Sequence, residues 1–266
     1  MTTATIRSPR VVPQEILRAS LRLCCIGLSL VMLLPLHACS RMLRRPSPWA
    51  ALFFRIASSA MGMKVRAHGK PLHRNVLFVA NHVSWHDVLV LGGLTGSAFV
   101  AQDGVRKWPI CGWLATLNGT VFVSRTAKQS VAAQIDALRT AMIENTAVAL
   151  FPEGTTSDGR GLLPFKPSLF AALTPAPKPI LIQPVLLDFG SVGPEIAWLG
   201  EETGGESAWR AFTRRGQFRV DVHFLRPFDP RSLPDRKAIC EEARRRISGA
   251  QLECRAGHAA LSRPNE

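Results

Sequence analysis

Acidic residues are scarce in this sequence: 19 Asp and Glu stand against 33 Lys and Arg in 266 residues, a net charge of +14. That imbalance favours a partner rich in negative charge, either nucleic acid or an anionic bilayer. Nucleic acid is disfavoured, because the basic residues are not interleaved with stacking aromatics in any recognisable module. Paired cysteines are lacking too. The six thiols, at 24, 25, 39, 111, 240 and 254, form no CxxC pair and no metal-ligand spacing, which excludes a visible disulfide framework. Cys111, in "WPICGW", reads as packing rather than as a nucleophile.

Long apolar runs are equally few. The one that stands out is "LCCIGLSLVMLLPLHA", the sixteen uncharged residues from Leu23 to Ala38. It is short of the ~20 residues a spanning helix needs, and Pro35 is expected to kink it. Arg18 and Arg22 precede it and Arg41, Arg44 and Arg45 follow; seven arginines less Glu15 leave +6 over residues 1–45, which gives no positive-inside vote. The expectation is a segment embedded in one leaflet, at the cytoplasmic face of the cell inner membrane, continued by the amphipathic "WAALFFRIASSAMGM". A single span is the alternative. A secretory signal is a third reading, since "LHAC" loosely resembles a lipoprotein cleavage box, although His37 fits such a box poorly.

The remainder suits one large α/β unit with terminal additions: a membrane-associated segment over 1–63, a catalytic domain over 64–233, and a C-terminal helix and tail over 234–266. Short apolar runs predict strands at 75–80, 97–102, 119–125, 147–152 and 179–187. A helix is expected over 130–145, where Val131, Ile135, Leu138 and Met142 recur at helical spacing behind Ser130. "FRVDVHFLRPF" alternates like a strand, and "SLPDRKAICEEARRRISGAQ" reads as a charged surface helix with a loose tail after it. Strands alternating with helices predict an α/β fold with a largely parallel central sheet flanked by helices. Polar clusters follow three of the strands, which places one shared cleft at the strand ends.

The first cluster is "NHVSWHD", residues 81–87. His82 and Asp87, five apart at a strand-to-helix turn, can form a base and its orienting carboxylate; with no serine nucleophile beside them, their natural task is to deprotonate a hydroxyl that a substrate brings. Ser84 has no strained, glycine-flanked elbow and reads as a cap or turn residue. A metal-dependent hydrolase would need His82, His86 and Asp87 together as ligands, but no third ligand pattern accompanies the two histidines. No metal is expected, and His86 is expected at the surface or behind the site. The second cluster, "FPEGTTSDG" (151–159), combines a glycine with backbone N–H groups able to hold an anionic oxygen. A solvated turn is its bland alternative.

Together these stretches resemble a known family. "NHVSWHD" is similar to the NHxxxxD box, "GTVFVSR" to GxxFxxR, "FPEGTTS" to FPEGTRS and "IQPV" to the final proline box of the glycerolipid acyltransferases, the lysophosphatidate acyltransferase family, in order over about residues 65–190. The resemblance implies direct attack of a lysolipid hydroxyl on an acyl thioester of coenzyme A or acyl carrier protein, without an acyl-enzyme and without a cofactor. It assigns His82 as general base and Asp87 as its orienter. By the same analogy Gly119 and Arg125 help bind the acceptor head group, Glu153 and Gly154 contribute to acceptor binding and active-site architecture, Thr155 contributes to substrate binding, Asn81 fixes the turn and Pro184 shapes the cleft. 1-Acyl-sn-glycerol-3-phosphate is the first acceptor implied. Thr156, however, stands where many phosphatidate-forming members have arginine, and "TTSDG" followed by "LPFKPSLF" resembles the lyso-ornithine lipid branch. Lys166 is then a partial substitute for the missing charge.

Overall fold

The computed structural model describes residues 12–43, 47–106, 109–123, 130–200 and 202–261. Two helices come first, α1 (Pro13–Met42) and α2 (Trp49–Ala60), then β1 (Met63–His68), β2 (Val76–Ala80), α3 (His86–Thr95), β3 (Ala98–Gln102), α4 (Asp103–Arg106), α5 (Pro109–Leu117) and β4 (Val121–Val123). There follow α6 (Ser130–Glu144), β5 (Ala147–Leu150), a 3₁₀ segment (Pro167–Leu173), β6 (Leu181–Asp188), α7 (Gly193–Ile196), α8 (Gly204–Thr213), β7 (Phe218–Phe224) and α9 (Arg236–Leu261). The seven strands form one sheet in the order β1-β7-β6-β2-β5-β3-β4. β6, β2, β5, β3 and β4 run parallel, while β7 is antiparallel to β6 and parallel to β1. The expected α/β fold with a largely parallel sheet is therefore what forms.

The central strand explains itself chemically. Every residue of "VLFVA" in β2 is fully buried, because helices cover both faces of the sheet. Val76, Phe78 and Ala80 enter one core with residues of α2, α3 and α8; Leu77 and Val79 enter the other with Leu138 and Met142 of α6 and Ile239, Ala243 and Ile247 of α9. Truncating Phe78 to alanine removes ~3–5 kcal/mol, much of the ~5–15 kcal/mol by which a domain is stable.

Two elements differ from the sequence expectation. The short "MKVRAH" of β1 is an additional strand, and Lys64 and Arg66 alternate along it at the sheet edge, where charge discourages pairing with another chain. The C-terminal segment is not a surface helix with a loose tail. It is continuous through Leu261, and Ile239, Cys240, Ala243 and Ile247 form a buried stripe beneath its charged outer face.

α1 inverts the usual amphipathic pattern. One helix continues through Pro35, and its inward face carries Arg18, Ala19, Arg22, Ile26 and Ser29. The Arg22 guanidinium donates to the carbonyls of Ala211 (2.7 Å) and Phe212 (3.0 Å), and Arg18 donates to that of Thr213. Two cations thus meet the carbonyl end of α8, where the helix dipole favours them. The outward face is apolar instead: Leu17, Leu21, Leu28, Val31 and Met32 are each 61–67 % exposed. α1 is long and apolar enough to cross a membrane, yet its first turns are bonded to α8.

Candidate active site

β2 and β5 are neighbours in the sheet, so the turns that leave their C-terminal ends emerge side by side. The first carries His82 and Asp87. His82 Nδ1 lies 2.7 Å from Asp87 Oδ2, and that oxygen also accepts from the backbone N–H groups of Val83 (2.6 Å) and Ser84 (3.0 Å). Asp87 is completely buried in the first turn of α3, where the dipole favours a carboxylate, whereas the His82 side chain keeps 21 % exposure. Because the carboxylate only accepts, it assigns the hydrogen to Nδ1 and leaves the Nε2 lone pair to take a proton. The imidazole also stacks on Phe151, 4.3 Å between centroids and 15° between planes. One face and one edge of the base are therefore fixed.

The second turn supplies a clamp. Glu153 is 2 % exposed, and its two oxygens accept from the backbone N–H of His82 (2.8 Å) and of Leu163 (2.9 Å). Burial pushes its carboxyl up to about 7, against the pull of those two N–H groups. Glu153 thus holds the general base's backbone, and its oxygens face protein. Other loops join the same turn: Ser157 N donates to His82 O (2.7 Å), Trp198 N to Val83 O (3.1 Å), and the Thr156 hydroxyl to Trp198 O. Phe151, Leu163 and Trp198 are site members that no motif assigns a role; of them only Phe151, an aromatic at a strand end, carries a local signal in the sequence.

The remaining predicted residues separate by place. Asn81 fixes the turn to β6, its amide donating to Leu187 O (3.0 Å) and accepting from Leu187 N (2.8 Å). Pro184 is buried in β6 opposite Val79, one residue before the ladder to β7 begins at Val185, so its missing N–H removes no rung. Gly154 has φ +68°, and a Cβ there would stand 2.5 Å from Lys166 Nζ, so the lysine lies directly over the loop. Thr155 is exposed beside it.

Gly119 is not brought to this end of the sheet. It precedes β4, with φ +73°, and a Cβ there would meet Asn145, just before β5, and Ala98, the first residue of β3. Its N–H bonds to Thr116 O and the next N–H to Ala115 O, a helix-ending turn that needs a left-handed residue. Arg125 lies outside the described residues.

Of the two places expected for His86, it is not at the surface but behind the turn that carries His82. It is 2 % exposed, bonded through Nδ1 to Ser84 Oγ (2.9 Å) and stacked on Trp85 at 4.1 Å. Burial, then the nearby charges of Arg210, Arg214 and Arg22, push its imidazole down to about 3. His82 precedes the helix that His86 begins, so the two rings share no helical face and take different partners. Ser84 is the buried turn residue expected, spent on His86. Among the described residues, the grouping of possible metal ligands is Asp188, His223 and Cys254, which includes none of the His82 set.

A buried carboxylate, an aimed imidazole with a free nitrogen and a glycine loop at adjacent strand ends suit proton abstraction from a hydroxyl followed by acyl transfer. The comparisons agree with this chemistry. The family model described as Acyltransferase matches residues 64–188. The chain is 35 % identical over 219 residues to the lyso-ornithine lipid O-acyltransferase of Rhizobium meliloti, covering 76 % of this chain and 75 % of that protein. It is also 35 % identical over 127 residues to the 1-acyl-sn-glycerol-3-phosphate acyltransferase of Neisseria meningitidis, covering 47 % and 49 %. The crystal structure of the 1-acyl-sn-glycerophosphate acyltransferase of Thermotoga maritima shares the fold, with a TM-score of 0.65 and 20 % identity over 95 % of this chain and 100 % of that one. With the site's geometry, the family model and a relative matched over three quarters of its length all in agreement, this chain belongs to the acyltransferase family.

Proposed function

We propose that this protein is a membrane-associated O-acyltransferase that moves a fatty acyl group from a thioester to the free hydroxyl of a lysolipid, with lyso-ornithine lipid as the acceptor. The His82–Asp87 bond of 2.7 Å, with Nε2 left free, carries the reading. In the forward step His82 Nε2 takes the proton of the acceptor hydroxyl while its oxygen attacks the thioester carbonyl. Asp87 holds Nδ1–H and balances the imidazolium that forms. Collapse of the tetrahedral adduct breaks the carbon–sulfur bond, and the departing thiolate recovers the proton from His82. The products are an ester and a free thiol, on coenzyme A or acyl carrier protein.

Two observations favour an acceptor without phosphate. The Thr156 hydroxyl is spent on the Trp198 carbonyl, at the position where, by the resemblance, many phosphatidate-forming members have an arginine. The relative named for lyso-ornithine lipid is matched over three quarters of its length, the one named for 1-acylglycerol 3-phosphate over about half. Lysophosphatidate is the second reading. Arg125 keeps its proposed acceptor-binding role with either acceptor, Gly154 and Thr155 contribute to substrate binding and active-site architecture, and Gly119 acts through the turn it closes.

The lipid reaches His82 from the bilayer. The apolar outer face of α1, with its inner face bonded to α8, supports a helix lying in one leaflet at the cytoplasmic face of the inner membrane, where the +14 charge meets anionic lipid. The test offers lyso-ornithine lipid and 1-acylglycerol 3-phosphate side by side, in mixed micelles with labelled acyl thioesters. Ornithine lipid as the dominant product is expected. Phosphatidate as the dominant product would overturn the acceptor assignment and keep the chemistry.

A further inference from the structure

Beside the Glu153 loop lies an open cleft of about 630 Å³, lined by Glu153, Thr155, Leu163, Lys166, Arg236 and Lys237 among others. The ring itself stacks on Phe151, which belongs to the core beneath α2 and α3, whereas the cleft is built from the 163–168 segment and the start of α9, on the other core. The ring thus packs toward the core on one face of the sheet, and the cleft lies toward the core on the other, beside α9 with its charged exterior.

The cleft gathers three cations and no available anion. Glu153 lines it but is buried, with both oxygens turned to backbone N–H groups. Asp235 caps α9, accepting from Lys237 N and Ala238 N at 2.8 Å each, so the helix terminus is already satisfied. Arg236 and Lys237 are exposed, and among the described residues neither side chain has an ion-pair partner. Cations in a first helical turn are opposed by the dipole, and α9 has no acidic residue within that turn. Exposed lysines and arginines are ordinarily just solvated. Here they share a cleft with the loop that holds the general base, and Lys166 reaches directly over Gly154 of that loop.

We infer that this cleft binds the phosphate of the phosphopantetheine arm of the acyl donor, through Lys166, Arg236 and Lys237. The inference rests on the acyl-transfer reading above. A lysolipid stays in the bilayer and approaches from the α1 side, so the water-soluble donor needs a separate approach to the loop, and its phosphate is the group a cationic cleft recognises. Coenzyme A and acyl carrier protein present the same phosphorylated arm. Lys166 serves the donor, then, rather than replacing the acceptor's missing arginine.

The test is steady-state kinetics on the full-length protein in micelles, with wild type and the Arg236→Glu/Lys237→Glu double variant, both substituted side chains being exposed. Three donors carry the same acyl group: acyl coenzyme A, acyl carrier protein, and an acyl N-acetylcysteamine thioester that has no phosphate. The inference expects donor KM to rise about tenfold or more for the first two, with acceptor KM unmoved and no such loss on the phosphate-free donor. Where wild type uses both donors, a rise with acyl carrier protein alone or with acyl coenzyme A alone overturns it too, because both carry the arm's phosphate and the cleft would then be reading something else. Unchanged donor KM, an equal loss on the phosphate-free thioester, or a shift in acceptor KM overturns it. Wild type that transfers from no donor removes the acyl-transfer reading and this inference with it; active wild type with an unaffected variant removes the inference alone.

Discussion

Two imidazoles four residues apart make the most instructive comparison in the molecule. His82 sits just before α3, partly exposed, with one nitrogen on a buried carboxylate and the other open. His86 starts the helix, is sealed under Trp85, and is held neutral by burial and by the arginines around it. The same side chain is a base in one place and a core residue in the other. What separates them is whether the surroundings offer a carboxylate that balances imidazolium or a buried site ringed by arginines that rejects it.

That contrast can be broken or sharpened by substitution. Short of removing the ring itself, the largest expected effect belongs to Asp87→Asn, which no longer fixes the Nδ1–H tautomer; kcat should fall ~10²–10⁴-fold in steady-state transfer assays, with thermal stability changed far less. Next comes Glu153→Gln. Gln offers one carbonyl where two backbone N–H groups need acceptors, so one clamp opens at ~1.5–3 kcal/mol, and kcat should drop about tenfold or more while the donor KM stays near wild type.

Glu153 also leaves a signature in stability. Its folded-state value, near 7, is above the ordinary 4.5, so the native state holds the proton more tightly than the unfolded chain. Its contribution is fully present below pH 4.5 and is lost as pH rises through about 7, at a slope of at most ~1.4 kcal/mol per pH unit. His86 has the opposite sign: its value of about 3 lies below the ordinary 6.5, so stability is present above 6.5 and is lost as pH falls toward 3. The smallest effect on turnover is expected from His86→Asn, whose amide oxygen can stand in for Nδ1 toward Ser84. Transfer per folded molecule should stay within about threefold, roughly 0.7 kcal/mol, while melting curves from pH 4 to 7 lose the acid-side slope. A loss as deep as that of Asp87→Asn would put His86 into the chemistry.

Much of this was legible in the sequence, for identifiable reasons. β2, β5 and β6 announce themselves as apolar runs because both faces of their strands are buried. β1 does not, since an edge strand carrying Lys64 and Arg66 has no such run. The α9 stripe of Ile239, Ala243 and Ile247 was masked by the density of charge around it. At the site, His82 and Asp87 are a local pair and could be found by spacing. The Glu153 clamp exists only because β5 lies beside β2, a fact of sheet order. Gly119 shares a motif with Arg125, yet the chain places it before β4, at the other end of that strand, which the motif's spacing does not reveal. The burial of His86 depends on Trp85 and on α8 closing over it, which no local pattern reveals.

The central claim is that His82 alone supplies the base. Its most direct test is the initial rate of acyl transfer to lysolipid by His82→Ala, measured with a labelled thioester on protein matched to wild type in circular dichroism and vesicle binding. The account predicts a loss of ~10³-fold or more, with membrane attachment retained; transfer at the wild-type rate would contradict it.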